Sequence, residues 1–428
     1  MLKQTRPVAI VGSARIPFAR SYSVYNDIGN AQMATTAVQG LVDRYGLKGQ
    51  HIGEVLGGAV MQHAKNWNFA RDIVQKTTLA PSTPGVTMAI ACGTSLQAAV
   101  QLAAKIATGQ IDSGIAMGSD TISDAPFAAN ERFAKRLVKA SRAKTMGQRL
   151  GAFKGFSFGE LMPMVPAASE PTTKLSMGDH TELKAKHWGI TREAQDQLAY
   201  ESHMKATAAY QAGYHDDLIV PCEGVWMDNN VRPDSSLEKM ATLKPAYDRK
   251  SGKGTLTAAN STPLTDGASA VLLASEDWAR ERGLPILAYL SDGDTAANNF
   301  TAGEGLLMAP TIAVSRMLKR NDMGFSDIDI FEIHEAFAAQ VLCTLAAWED
   351  EDYTRQHLDR DEPLGAIPRE KINPKGSSLA YGHPFAATGG RILGLTAKQL
   401  SEKGGSSKAL LSVCTAGGMG VAALVEAA

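Results

Sequence analysis

Two stretches of this chain repeat one layout of turn, helix, glycine, strand and glycine-rich loop. The first runs from Cys92 to Asp120, and the second begins at Ser377 and continues to the end of the chain. Elsewhere, apolar runs of strand length, such as "PVAIVGSAR", alternate with helical patterns. The alternation predicts an α/β fold with a mostly parallel sheet, and the repeat indicates two similar halves packed against each other.

A reactive side chain precedes the helix in each copy: Cys92 in the first and His383 in the second. A thiol at a helix N-terminus meets the positive end of the helix dipole and free N–H groups, which favour the thiolate and lower the cysteine pKa. A buried structural cysteine is the competing interpretation. Gly382 and Pro384 flank His383 and fix the backbone around an imidazole that can take the proton of a thiol. Two packed halves would bring both helix ends to one crevice.

Two further motifs lie where strands end. Cys414 enters the glycine-rich loop "CTAGGMG", whose N–H groups suit either a phosphate or an oxyanion. A thiol beside such a loop can move a proton on carbon. His334 opens "HEAFAAQ" and can hold a water or a carbonyl oxygen. We interpret the neighbouring Glu335 as a charge that complements a helix N-terminus.

Composition excludes several classes of function. The chain has 428 residues and a net charge of −1, so we expect two or three domains and no nucleic-acid partner. No window approaches a membrane span, and the start does not read as a secretory signal. The four cysteines, Cys92, Cys222, Cys343 and Cys414, have neither metal-type spacing nor disulfide density. We therefore expect a reduced, cytoplasmic protein without a metal, in which Cys222 and Cys343 are structural.

The middle of the chain, roughly residues 123–260, loses the strand–helix rhythm and is predicted to be an insertion. Its basic segment 132–154 suits either CoA phosphates, a docking partner or an anionic membrane surface, or is a solvated helix face. A long helix is predicted after Thr191 as N-cap, with Gly213 stopping it. The acidic piece 349–371 is predicted to be a surface excursion.

These motifs resemble those of the thiolase superfamily, and the resemblance covers essentially the whole chain. It is carried by "AIACGTSLQAA", "LTAANSTPLTDGASAV", "HEAF", "GHPFAATG" and "CTAGGMG", in that order. It implies two duplicated α/β halves packed as five layers (α-β-α-β-α) with an inserted loop domain. The corresponding domains are residues 1–122 with 261–285, residues 286–428, and the loop domain 123–260, which would bind substrate and CoA.

The resemblance implies an acyl-CoA acyltransferase that works through a cysteine acyl-enzyme. In that scheme His383 takes the proton of Cys92, Cys414 protonates the leaving acetyl-CoA carbanion, and free CoA accepts the acyl group. His383 and a water held by His334 would form one oxyanion site. The backbone N–H groups of Cys92 and Ala416 would form the other. The residues implied in substrate and CoA binding are Met177, Thr262, Ala336 and Phe337.

Two departures from the common thiolase pattern point to a degradative enzyme. The chain has His334 where many thiolases have asparagine, and Ala416 where many have glycine. Both are similar to the thiolase subunits of β-oxidation complexes, which implies thiolysis of 3-ketoacyl-CoA. The alternatives are a short-chain acetyl-CoA C-acetyltransferase that makes acetoacetyl-CoA, a decarboxylating ketoacyl synthase and a non-catalytic lipid carrier. The resemblance further implies CoA as a substrate, no tightly bound cofactor, a homodimer or dimer of dimers, and a hydratase–dehydrogenase subunit as a possible partner.

Overall fold

The computed structural model describes residues 5–428, and strands and helices alternate along both ends of the chain. The strands are β1 (Val8–Arg15), β2 (Ala19–Arg20), β3 (Glu54–Gly58), β4 (Gly85–Thr87), β5 (Ser113–Asp120), β6 (Thr265–Ser275), β7 (Ala288–Ala297), β8 (Ile330–Ile333), β9 (Lys408–Thr415) and β10 (Met419–Ala427).

The helices include the long middle helix that the sequence predicts. They are α1 (Asn30–Arg44), α2 (Phe69–Lys76), α3 (Thr94–Ala107), α4 (Glu131–Ser141), α5 (Met146–Gly151), α6 (Met177–His187), α7 (Arg192–Gln211), α8 (Leu237–Ala241), α9 (Glu276–Glu281), α10 (Ala309–Arg320), α11 (Ala338–Glu349), α12 (Glu351–His357), α13 (Ser378–Tyr381) and α14 (Thr388–Lys403). Thr191 caps α7 by accepting the N–H of Ala194, and the helix ends just before Gly213, whose φ is +67°. Both predicted ends of this helix are confirmed.

Two residue pairs between β1 and β7 join the strands of the two halves into one continuous order, and this order shows the duplication. The order is β4-β3-β5-β6-β1-β7-β10-β9-β8, with β2 paired to β6. From the β1–β7 contact outward, each half has two antiparallel pairings followed by a parallel one. The prediction of a mostly parallel sheet is wrong, because β6 and β10 each run against both neighbours. β10 does so because a tight turn joins it to β9.

Three apolar cores separate the layers of the unit formed by residues 5–124 and 169–428. Along β6, Val271 and Leu273 face the core that contains α3 and α14, whereas Leu272 faces the core under α1 and α2. Along β10, Val421 shares the core of α3 and α14, whereas Leu424 faces α10 and α11. The order of layers is therefore α-β-α-β-α, and the predicted α/β architecture of duplicated halves is confirmed.

The two central helices approach each other closely at their N-terminal ends. A Cβ built on Gly389 would lie 2.6 Å from the backbone nitrogen of Leu96. The N–H of Gly390 donates to the hydroxyl of Ser95 at 2.7 Å. Because α3 and α14 are the corresponding helices of the two copies, this contact brings together the segments that precede them.

Residues 125–168 form a second compact unit. Arg136 organises it by donating to Glu160 at 2.6 Å and to the carbonyls of Ala152 and Lys154. The ring of Phe156 packs against three others, Phe133, Phe153 and Phe158, with centroids 5.8 to 6.3 Å apart. Arg136 is therefore a structural residue of this unit. The broader loop-domain boundaries, 123–260, stay a prediction.

Two predicted elements differ from the structure. The apolar run GVTMAIAC, residues 85–92, favours one strand that reaches Cys92, but β4 ends at Thr87 and the backbone turns at Ala91, whose φ is +42°. The acidic piece 349–371 is more than a surface excursion. It contains α12, and it buries Leu358 and Ile367 against the third core. In residues 5–428 no helix has both the length and the apolar run needed to cross a membrane.

We expect Gly389→Ala to destabilise the protein, because the added methyl group would force α14 away from α3. Overpacking of this kind costs about 1–3 kcal/mol, which exceeds the gain of up to ~1 kcal/mol that alanine brings to a helix. Urea unfolding gives the free energy of unfolding. The matched control is Gly147→Ala in α5, where an added Cβ meets nothing within 4 Å. Unfolding of Gly389→Ala at the wild-type urea concentration would contradict this packing role.

Candidate active site

Cys92 lies in a tight turn just before α3. The positive φ of Ala91 reverses the backbone, and Thr94 braces the turn. The Thr94 hydroxyl accepts the N–H of Ile90 at 2.9 Å and donates to the carbonyl of Ala91 at 2.8 Å. A non-glycine residue in the left-handed region stores strain that the surroundings must support, and such residues concentrate at functional sites. The turn leaves the Cys92 side chain partly exposed at the head of the helix.

His383 reaches Cys92 from the other half of the fold. Its Nε2 lies 3.1 Å from Cys92 Sγ, and its Nδ1 lies 2.6 Å from the hydroxyl of Thr388. Gly382 has φ +99°, and a Cβ there would lie 2.6 Å from the side-chain nitrogen of Asn230. The N–H of His383 donates to Thr265 at 2.9 Å. Glycine is thus required at 382 for the turn that aims the imidazole.

Burial decides the protonation of this pair. Burial, and then the nearby carboxyl of Asp120, raise the pKa of Cys92 to about 12. The N–H groups of Cys92 itself and of Ala416 donate to the sulfur and lower that pKa, but by less than burial raises it. Burial and the Arg391 guanidinium lower the pKa of His383 to about 3. The pair at rest is thiol and neutral imidazole, so the predicted lowering of the cysteine pKa is wrong.

The protonation states define the tautomer of His383. Because the thiol keeps its proton, Cys92 donates to Nε2, and Nε2 accepts. The ring proton is then on Nδ1, from which it donates to Thr388. His383 therefore presents a basic nitrogen to the sulfur.

His334 lies at the end of β8, fully buried beside His383. The two ring centroids are 4.1 Å apart. Its Nδ1 lies 2.8 Å from the hydroxyl of Ser378, and its Nε2 has no hydrogen-bond partner among residues 5–428. Burial, His383 and Arg391 hold the pKa of His334 well below its usual value, so this ring is also neutral. An unpartnered buried nitrogen beside a nucleophile is a place for a substrate atom.

Cys414 lies near the end of β9 in an apolar cluster. Burial, with Cys92 nearby, raises its pKa well above the usual value. Three residues predicted to bind substrate or CoA pack in the same cluster: Met177, Ala336 and Phe337. Thr262 adjoins them, since its N–H and hydroxyl both donate to the carbonyl of Ala336, at 3.1 and 3.0 Å. The structure thus places the predicted binding residues beside Cys414, whose thiol lies near Cys92.

The loop after Cys414 is held by a residue that the sequence analysis missed. Gly417 and Gly418 have φ +80° and +69°, which glycine adopts without strain. The N–H of Gly417 donates to the buried carboxylate of Glu170 at 2.8 Å. This bond fixes the peptide next to Ala416, whose N–H points at Cys92 Sγ. Nothing in the local sequence around Glu170 indicates this partner.

Asp120 is a second missed residue. It ends β5, and its buried carboxyl accepts the N–H groups of Val60, Met61 and Ala386 at 2.7 to 2.9 Å. Ala386 belongs to the turn that follows His383, so Asp120 fastens that turn to the first half. An acidic residue at the end of an otherwise uncharged, buried strand is the signal that would have marked it.

Glu335 also differs from its interpretation. Its buried carboxylate accepts from Ser202, Asn373 and the N–H of Leu379. It therefore joins α7, the loop before α13 and the first turn of α13 to the histidine segment. The expected charge in the first turn of its own helix is wrong, because α11 begins at Ala338 and has no acidic residue in its first turn.

The site also contains a ligand set that suits a metal. Cys92 Sγ and one ring nitrogen from each of His334 and His383 lie within 4.8 Å of one another. A thiolate and two imidazoles are ligands that Zn²⁺ accepts. A metal there would occupy the lone pairs that a nucleophile and its base need. We therefore assign these residues to proton transfer, and the expectation of no metal stays a prediction.

Known proteins of one family match this chain over almost its whole length. Residues 8–277 match the thiolase N-terminal domain, and residues 284–427 match the thiolase C-terminal domain. A 3-ketoacyl-CoA thiolase of Serratia proteamaculans is 42% identical over 98% of this chain and 96% of its own length. One of Photobacterium profundum is 39% identical over 99% and 98%.

Solved structures share the fold. The acetyl-CoA acetyltransferase of Bacillus anthracis superposes with a TM-score of 0.80 at 28% identity, over 99% of this chain and 100% of that one. Human mitochondrial 3-ketoacyl-CoA thiolase superposes with a TM-score of 0.79 over 99% of both chains, at 24% identity.

The neutral Cys92–His383 pair predicts how fast the free enzyme is alkylated. Because the pKa of Cys92 is raised to about 12, the rate with iodoacetamide should climb continuously from neutral to alkaline pH. Mass spectrometry of the Cys92 peptide measures this rate, and Cys92→Ser gives the background from the other cysteines. A plateau that begins at mildly acidic pH would instead show a thiolate–imidazolium pair.

Proposed function

This chain belongs to the thiolase family, and we propose that it is a 3-ketoacyl-CoA thiolase that holds the acyl intermediate on Cys92. The observation that carries the proposal is the 3.1 Å contact between Cys92 Sγ and His383 Nε2, with a second thiol, Cys414, in the same site. The overall reaction converts a 3-ketoacyl-CoA and CoA into acetyl-CoA and a shortened acyl-CoA.

In the first step His383 acts as the general base. Its Nε2 takes the thiol proton as Cys92 sulfur attacks the keto carbon of the substrate. The neutral pair supports a proton transfer that accompanies attack, since neither ion is stable in the buried site before substrate arrives. The product of this addition is a tetrahedral intermediate. Its central carbon, the former keto carbon, is bonded to the Cys92 sulfur, and the former keto oxygen carries the negative charge.

In the second step the carbon–carbon bond breaks. The electron pair moves to the α-carbon of the leaving group and forms the enolate of acetyl-CoA. The thiol of Cys414 gives its proton to that carbon, which leaves a Cys414 thiolate and releases acetyl-CoA. The raised pKa of Cys414 suits this role, because the thiol is protonated when the carbanion forms.

In the third step CoA accepts the acyl group. The Cys414 thiolate takes the proton of the CoA thiol, and the CoA sulfur attacks the thioester on Cys92. The departing Cys92 sulfur recovers its proton from the imidazolium of His383, so all three side chains return to their starting states. CoA is a substrate in this scheme, and no step is assigned to a metal or a redox cofactor.

Two donor sets serve two different oxygens. The N–H groups of Cys92 and Ala416 already point at the sulfur, which supports their role around the oxygen of an acyl group bound there. His334 Nε2 and His383 are assigned to the thioester oxygen of the leaving enolate. No protein group within residues 5–428 occupies Nε2 of His334, which supports its role in holding the water of this oxyanion site.

The binding residues are assigned from the apolar cluster beside Cys414. Met177, Ala336 and Phe337 would contact the pantetheine and acyl chain, with Thr262 at its edge. We assign residues 123–260 to the loop domain and residues 1–122 with 261–285 and 286–428 to the two halves. The exposed basic side chains of segment 132–154 are assigned to the CoA phosphates.

The alternatives are weaker. A decarboxylating ketoacyl synthase would not need the second thiol, Cys414. A non-catalytic lipid carrier would not need the contact between Cys92 and His383. A short-chain acetyltransferase uses the same chemistry and differs in preferred acyl length. A cytoplasmic location is supported by the four free cysteines. From the family resemblance we also propose that the protein forms a homodimer or a dimer of dimers. A hydratase–dehydrogenase subunit is its proposed partner.

Cys92→Ser should abolish thiolysis of acetoacetyl-CoA and longer 3-ketoacyl-CoA substrates, with a loss of at least about a thousandfold because the nucleophile is removed. Acetyl-CoA should add one acetyl group to the Cys92 peptide of the wild type, detected by mass spectrometry. The matched control is Cys343→Ser, a buried cysteine outside the site, which should keep its activity. Near-normal turnover by Cys92→Ser would contradict the assignment.

Replacing Arg132, Lys135 and Lys139 with glutamine should raise KM for CoA several-fold and leave kcat unchanged, if these exposed cations attract phosphates. Arg136 is left intact because it holds the unit together. Thiolysis at a series of CoA and salt concentrations measures the effect. An unchanged KM would remove the phosphate assignment and leave docking as the role of this segment.

A further inference from the structure

A chain of hydrogen bonds runs from Arg391 to the imidazole of His334. Arg391 lies on α14, and its Nη2 donates to the hydroxyl of Ser378 at 2.9 Å and to that of Ser377 at 3.2 Å. The hydroxyl of Ser378 lies 2.8 Å from His334 Nδ1. All four side chains are buried, with at most 3% of their surface exposed.

The donors and acceptors in this chain can be assigned without ambiguity. A guanidinium has no acceptor, so Ser378 Oγ must accept from Arg391. Within residues 5–428 the one other partner of Ser378 Oγ is His334 Nδ1. A buried hydroxyl places its proton on an available acceptor. Ser378 therefore donates to Nδ1, and the ring proton of His334 must be on Nε2.

This tautomer is the opposite of that in His383. His383 carries its proton on Nδ1, facing Thr388, and accepts at Nε2, whereas His334 accepts at Nδ1 and donates from Nε2. The two rings are 4.1 Å apart, so their different roles arise from their hydrogen-bond partners. One ring is a base, and its neighbour is a donor.

We infer that Arg391 and Ser378 are positioning residues that hold His334 in the Nε2–H tautomer, and thereby supply the donor for the enolate oxygen of the leaving acetyl-CoA. The inference rests on the proposed function for the identity of that oxygen. Neither residue touches substrate, and both act through His334. A tautomer fixed in advance needs no reorganisation when charge develops on the oxygen.

The experiment separates the two oxyanion sites. Thiolysis of acetoacetyl-CoA requires the enolate, whereas exchange of acetyl groups between acetyl-CoA and isotopically labelled CoA requires acylation of Cys92 and its reversal. Ser378→Ala should reduce thiolysis roughly ten- to hundredfold, the usual size for loss of a residue that orients a ligand or donor. Acetyl exchange should stay within about twofold, because it uses the backbone N–H groups of Cys92 and Ala416.

The chain offers a matched control. Ser377 is as buried as Ser378 and accepts from the same Arg391 nitrogen, but its hydroxyl does not reach His334. Ser377→Ala should therefore keep both rates within about twofold of wild type. Arg391→Met, which removes the donors but keeps the length, should show the same selective loss as Ser378→Ala. If Arg391→Met does not fold, the comparison of Ser378→Ala with Ser377→Ala still tests the inference.

The tautomer of His334 can also be measured by NMR spectroscopy, without any catalytic turnover. Protein labelled with ¹⁵N-histidine should show a neutral ring protonated at Nε2 that is lost in His334→Asn and is thereby assigned to His334. In Ser378→Ala that ring should become a mixture of tautomers, and in Ser377→Ala it should not change. An unaltered tautomer in Ser378→Ala, unchanged thiolysis, or an equal fall in thiolysis and exchange would each overturn the inference. Failure of the proposed function is distinct, because the wild type would then exchange no acetyl groups.

Discussion

The close approach of α3 and α14 is the contact on which the rest of the site depends. Glycine at 389 allows the backbone of one helix to meet Leu96 of the other, and Ser95 ties the two together through the N–H of Gly390. Because each helix starts just after a reactive side chain, their contact sets the distance between Cys92 and His383. A nucleophile and its base, 291 residues apart in the chain, thus meet through packing in the central layer.

The same central position buries most of the site, and burial sets its chemistry. Desolvation is the largest influence on the pKa of Cys92, His383, His334 and Cys414, and in each case it favours the neutral form. A buried ion pair would pay a desolvation penalty that one hydrogen bond does not offset. Charge therefore appears only with the substrate, and donors fixed beforehand stabilise it.

The sequence indicates the architecture and the reactive residues, because both leave local patterns. Strand–helix alternation marks the layers, and Gly382 and Pro384 mark the turn at His383. The pKa of Cys92 was mispredicted because a helix end is a local feature, whereas burial is set by the far half of the chain. The positive φ of Ala91 is equally invisible, since alanine has no preference for it.

Partners distant in the chain were missed for the same reason. Glu170 holds the loop beside Ala416, and Ser378 holds His334. The sequence around each of them does not differ from that of an ordinary loop or helix. Such contacts are decided by tertiary packing.

In each copy, the end of one strand contacts the segment that precedes the central helix of the other copy. These reciprocal contacts explain why the duplicated fold forms a single site. The end of β5 serves the second copy: Asp120 accepts the N–H of Ala386, and a Cβ on Gly118 would lie 1.9 Å from the Ala386 carbonyl. The end of β9 serves the first: a Cβ on Gly93 would lie 2.9 Å from Thr415, and the N–H of Ala416 reaches Cys92. Each helix head is thus held by the other copy's strand. With this scaffold shared, the two heads were free to differ, and the same position carries a thiol in one half and its base in the other.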